Sequence, residues 1–198
     1  MKKFFTLFIA ILMISTALLG YLPEPQFMSE LTFLSNFIIG VLFLVSAVRL
    51  FQKKTPLPNV FFLGSLTTMM LVFLVCMGSL SGAYHMNFKG AYLFLHVINP
   101  LLVLFYYFAF VRESTTEKKR LLFFVPLPAA FYLLMDYIVG EIHGSFQYGF
   151  FKPTALNGGS AFLILATLYV ILLALGTVLF QINRLVHNKR QVKERMAV

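Results

Sequence analysis

A hydroxyl and an imidazole together can perform nucleophilic chemistry, because the ring nitrogen takes the proton that keeps the hydroxyl a poor nucleophile. Thr32 and His96 are candidates for such a pair. Each lies just inside a long apolar run, and neither is needed to build a helix or fill a greasy surface. Asn36 follows Thr32 by four residues and Asn99 follows His96 by three, so each shares a helical face with its neighbour. Either amide could donate to a developing oxyanion, and Asp136, near the end of a later run, could orient the imidazole. Each residue also has a plainer use. Thr32 would serve as a helix-start hydroxyl, the asparagines as interhelical glue, and Asp136 as a carboxylate reaching the interface.

The elements that must position these residues are written in the composition. Of 198 residues, 60% are hydrophobic and 12% charged, with a mean hydropathy of +0.86. A soluble domain carries roughly a quarter charged residues, so the solvent for most of this chain is lipid. Six runs are long and apolar enough to cross a bilayer: residues 4–22, 31–51, 60–81, 90–111, 121–139 and 161–182. Their unbroken hydrophobicity indicates helices, since barrel strands are short and alternate. The expected fold is therefore an all-α, six-helix membrane bundle in one domain, with a basic tail over residues 183–198. Pro126 and Pro128 are expected to kink or delay the fifth helix. The first run also resembles a secretory signal, with Lys2 and Lys3 before it and small residues at Ser15–Ala17. Its length and the lack of a clear Ala-x-Ala cleavage site before Tyr21 favour an uncleaved span.

Orientation follows from the basic residues. With the N-terminus cytoplasmic, fourteen of the sixteen lysines and arginines fall on the inner side and only Lys89 and Lys152 outside. That asymmetry predicts both termini in the cytoplasm of a plasma membrane and places Thr32 and His96 in the outer half. At a rise of about 1.5 Å per residue, His96 should lie about 9 Å below its helix start, deeper than Thr32. The formal charge of +9 does not indicate nucleic acid, because it sits in connectors and tail between spans.

Other chemistries are less well supplied. Cys76 stands at a depth similar to that of His96, so a Cys/His acyltransferase is an alternative, although a small apolar filler is the simpler role. A non-catalytic lipid-binding or transport protein would use the same polar pocket. No metal-ligand spacing, phosphate loop or dinucleotide motif occurs, so no cofactor is expected. The expected partners are the lipid bilayer and a membrane lipid or fatty-acyl ester. The 24 phenylalanines suit acyl chains, and the loop over residues 140–160, with Tyr148 and Lys152, is a possible lid.

Three short motifs, in order with the spans, carry a resemblance. Leu31-Thr32-Phe33-Leu34-Ser35-Asn36 resembles the Phe/Leu-Thr-Phe motif of the androgen-induced-gene family of membrane hydrolases and the matching segment of its six-span bacterial relatives. His96-Val97-Ile98-Asn99-Pro100 is similar to that family's histidine–proline motif. Tyr148-Gly149-Phe150-Phe151 with Asn157-Gly158-Gly159 resembles its Tyr-Pro-Phe-Leu…Gly segment, Gly149 standing where proline is usual. The resemblance runs from about residue 28 to 182. It implies a threonine/histidine hydrolase of fatty-acyl lipid esters, with Thr32 and His96 as the catalytic pair.

Overall fold

The computed structural model of the chain describes residues 1–79, 90–113, 119–144 and 158–196. These residues form helices and no strand. Six helices are long and apolar enough to span a membrane, so the protein is an integral multi-pass membrane protein. They are α1 (Lys2–Tyr21), α2 (Leu31–Phe51), α3 (Asn59–Ser79), α4 (Ala91–Phe110), α5 (Leu127–His143) and α6 (Gly158–Met196). Tyr148 and Lys152, expected to form a lid, and the whole segment over residues 148–157 lie outside the described residues.

Apolar side chains gain nothing by leaving lipid for one another, so helices in a bilayer associate through close packing and polar contacts. The α1–α2 pair shows both. Ala10, Ala17 and Ala47 are fully buried there. At Gly40 the two backbones approach so closely that a β-carbon would stand 2.8 Å from Ile14 Cγ1 and 3.2 Å from the Ile14 amide. The core then fills with Ile9, Met13, Phe43, Leu66, Met69, Val103 and Tyr106, and Phe43 meets the Tyr106 ring edge-on at 4.9 Å.

The end of α4 shows how the bundle handles freed backbone groups. A helix leaves its last carbonyls without internal donors, and hydrocarbon offers no water to replace them. Lys2 Nζ donates to the Phe110 carbonyl at 2.9 Å. Asn183 on α6 donates to the carbonyls of Tyr107 and Val111, both at 3.0 Å. Asn59 donates to Arg112 O at 2.8 Å. Four elements are thereby tied together at the end of the bundle where α1 begins.

Two boundaries differ from the sequence expectation. The proline pair does delay the fifth helix. A 3₁₀ turn over Lys119–Phe124 comes first and α5 begins at Leu127, with Pro128 in the first turn, where its missing amide costs nothing. The last helix does not stop near residue 182 but continues to Met196. No glycine or proline follows Gly176, and the tail's arginine, lysine and glutamine favour the helix.

Candidate active site

At the opposite end of the bundle, α1, α2 and α4 meet along a buried polar seam. Thr32 Oγ1 on α2 lies 3.4 Å from His96 Nε2 on α4, and both side chains are more than nine-tenths buried. The other ring nitrogen, Nδ1, is 3.0 Å from the Tyr92 carbonyl. A carbonyl only accepts, so Nδ1 carries the ring proton of the neutral imidazole and donates it there. The Nε2 lone pair is left facing the Thr32 hydroxyl, which donates to it. The Thr32 contact, at 3.4 Å, is longer than an ordinary hydroxyl hydrogen bond. The Tyr92 ring lies parallel to the imidazole, 6.2 Å between centroids, which helps to hold the ring plane.

The two residues meet although their distances from their helix starts differ. Side chains in a helix slant back toward its N-terminus. Both helices begin at the same end of the bundle, so the longer histidine rises toward the level of Thr32.

Local backbone chemistry turns His96 inward. Pro100 cannot donate to a carbonyl one turn back, and its ring crowds that turn. The chain responds with a π-helical turn over Phe94–Ile98, in which the Asn99 amide reaches back to the Phe94 carbonyl. The Leu95 carbonyl then has neither of its helical donors: the Asn99 amide is committed to Phe94, and Pro100 has none. Asn36 Nδ2 supplies the missing bond from α2 at 3.2 Å. A widened turn of this kind is frequent at functional sites.

Asn36 and Asn99, the expected oxyanion donors, anchor the seam. Asn36 gives its second amide hydrogen to the Thr32 carbonyl at 2.8 Å. Asn99 donates to Asn36 Oδ1 at 2.8 Å and to Thr16 Oγ1 on α1 at 3.0 Å. Each amide therefore donates twice within the protein. Asn99 Oδ1 is buried without a hydrogen-bond partner.

Asp136, expected to orient the imidazole, lines a cavity between α2, α3 and α5, and the Tyr92 carbonyl is what holds Nδ1. The cavity has a volume of about 820 Å³ and is lined mainly by apolar side chains. Ser35 links it to the pair, since it lines the cavity and donates to the Thr32 carbonyl at 3.3 Å. Cys76 is buried on α3, while both ring nitrogens of His96 are engaged by Thr32 and Tyr92.

Sequence reasoning missed several participants. Tyr92 acts through its backbone, so only its place four residues before His96 hints at a role. Thr16, inside the first run, was one hydroxyl among many. Glu30, the residue capping α2, accepts a 2.6 Å bond from Tyr21 and fixes the top of α1 against the start of the Thr32 helix. Comparison with protein-family models, curated proteins and solved structures finds no match to this chain.

Proposed function

We propose that this protein is a membrane-embedded hydrolase of fatty-acyl lipid esters, similar in chemistry to the androgen-induced-gene family, with Thr32 as nucleophile and His96 as base. The observation that carries this reading is the buried Thr32–His96 contact with its defined tautomer, in which the imidazole lone pair faces the hydroxyl. Pairing of buried polar groups accounts for the contact itself, and the lone pair that the base turns to the hydroxyl is what the chemistry uses.

In the proposed reaction Thr32 Oγ attacks the ester carbonyl while its proton passes to His96 Nε2. The tetrahedral adduct collapses, the C–O bond to the alcohol breaks, and His96 returns the proton to that oxygen. A water then gives its proton to Nε2 and attacks the threonyl ester. Fatty acid is released and Thr32 recovers its hydrogen. The Tyr92 carbonyl accepts from Nδ1 throughout and stabilises the transient imidazolium. Ser35, which lines the cavity and donates to the Thr32 carbonyl, is the hydroxyl that would turn from that carbonyl to the carbonyl oxygen of a bound ester. The distribution of basic residues supports cytoplasmic termini and a site in the outer leaflet of a plasma membrane.

The test is fluorophosphonate labelling of the purified protein with peptide mapping. An adduct on Thr32 that is absent from His96→Ala supports the reading. An adduct on Cys76 would replace it with acyl transfer from cysteine, and folded protein with no adduct would overturn nucleophilic catalysis.

A further inference from the structure

The end of the bundle where α1 begins gathers cations from two separate stretches of chain. Lys2 and Lys3 open α1, and Arg49, Lys53 and Lys54 lie at the end of α2 and in the turn after it. No aspartate or glutamate occurs in residues 1–23 or 31–112, so neither stretch carries a carboxylate of its own. The packing of α1 on α2 brings them together. Lys3 Nζ stands over the Phe4 and Phe51 rings, 5.3 and 5.1 Å from their centroids. The two rings meet edge to face at 5.4 Å, and Phe51 is two residues before Lys53.

The turn after α2 is held in one shape. The Lys54 amide donates to Arg49 O at 2.9 Å and the Gln52 amide to Val48 O at 3.0 Å. Arg49 Nε donates to the Thr55 carbonyl at 2.8 Å, which uses one of the five N–H groups of a guanidinium. Lys53 sits at the crown with a φ of 58°, a left-handed backbone that glycine adopts freely and lysine does not. A cation thus stands where glycine would relieve strain. Beside this cluster, Lys2 Nζ donates to the Phe110 carbonyl, and Arg112 is near enough for the two positive charges to repel. Glu113, in the next connector, accepts from Tyr107 and Asn59. Cations fixed side by side in this way favour an anion among them.

The surroundings indicate which anion. Lys3, Lys53 and Lys54 are exposed, and so are the rings of Phe4, Phe8 and Phe51 on the bilayer side of them. A charged rim above apolar rings matches a phosphate joined to acyl chains.

We propose that Lys3, Arg49, Lys53 and Lys54 form a binding site for the headgroup of an anionic phospholipid in the leaflet at this end of the bundle, with its chains along Phe4, Phe8 and Phe51. The headgroup bridges α1 and α2 at the end opposite Thr32, and the site does not depend on catalysis there.

The chain contains no tryptophan, so Phe51→Trp places a single fluorophore in the site and keeps an aromatic face beneath Lys3. The full chain is reconstituted in mixed vesicles of phosphatidylcholine and phosphatidylglycerol, with one lipid at a time brominated on its acyl chains near the headgroup. Quenching gives the relative affinity of the two lipids at that position. Phosphatidylglycerol should be preferred about tenfold, the scale expected for a few basic residues at a membrane surface. Val178→Trp, at an exposed position on α6, should show a preference about threefold weaker or less. With Phe51→Trp as the reporter, Lys53→Gly removes a cation and suits the left-handed turn. It should lower the preference about threefold. Lys3→Gln, Lys53→Gln and Lys54→Gln together should abolish it. Lys189→Gln, Arg190→Gln and Lys193→Gln together remove the same charge from the end of α6 and should leave it unchanged. Equal quenching by both lipids at position 51 overturns the site. The same preference at position 178, or an equal loss from the α6 variant, overturns it in favour of diffuse attraction. A preference abolished by inorganic phosphate at constant ionic strength would assign the cluster to a free ion and overturn the lipid.

Discussion

Asn36 makes the hydrogen bond that Pro100 denies to its own helix. The proline leaves the Leu95 carbonyl without a backbone donor, and the Asn36 amide, on a different helix, supplies one at 3.2 Å. The π-helical turn that presents His96 to Thr32 is thus held from outside. The catalytic geometry proposed here depends on a residue pair that touches neither reacting atom.

Replacing Pro100 with alanine restores an amide at that position and allows a regular α-helical turn. The turn would then rotate His96 away from Thr32 and release Asn36 from Leu95. Fluorophosphonate labelling of Thr32 is expected to fall by about 10²-fold, the scale of losing a positioned general base, with helix content unchanged by circular dichroism. Labelling at the parent rate would show that the widened turn has no part in placing the imidazole.

Asn36→Leu removes the amide while keeping a similar volume. It leaves the Leu95 carbonyl unsatisfied and breaks the link to Asn99. The expected loss is about 1–3 kcal/mol in a reversible denaturant titration in mixed micelles. Asn99→Leu should cost a comparable amount, because Asn36 Oδ1 then loses its donor. The double variant should cost less than the two single losses together, since both remove the same bond. Strict additivity would place the two residues in separate networks.

Gly40 sets how closely α1 and α2 approach. A β-carbon there meets Ile14 at 2.8 Å, within the shared backbone interface, so Gly40→Val is expected to destabilise the bundle by about 1–3 kcal/mol through overpacking. Gly40→Ala against Gly64→Ala is the matched comparison, because at Gly64 the β-carbon would meet only the Val125 carbonyl at 3.7 Å, an ordinary contact. The denaturation midpoints of the two variants decide the matter, and equal midpoints would remove Gly40 from the packing argument.

The spans and much of the seam were legible in the chain for one reason. Polar side chains inside apolar runs are costly in lipid, so Thr32, Asn36, His96 and Asn99 had to find one another. Asp136 obeyed the same rule but lines the neighbouring cavity, because its direction depends on the rotation of α5, which no spacing within one helix reveals. Tyr92 was invisible for a different reason: a backbone carbonyl has no residue-type signature. The committed amide hydrogens of Asn36 and Asn99 could not be read either, since which acceptors they meet is set by helix packing. The long α6 was hidden by its change of character, from apolar residues to basic ones, which ends a membrane span without ending a helix.

The tautomer of His96 gives the proposed hydrolase a directional pH dependence. With Nδ1–H donating to the Tyr92 carbonyl, only the neutral ring has a lone pair at Nε2 for the Thr32 proton. Protonating Nε2 replaces that acceptor with a donor and removes the base. On the acid side kcat/KM should therefore fall about tenfold per pH unit, the slope of a single protonation. At higher pH it should reach a plateau, because the neutral ring already has its full basicity. A profile measured with an uncharged ester substrate isolates this ionisation from the substrate's own. A flat acid limb would mean that Thr32 is activated by something other than the imidazole beside it.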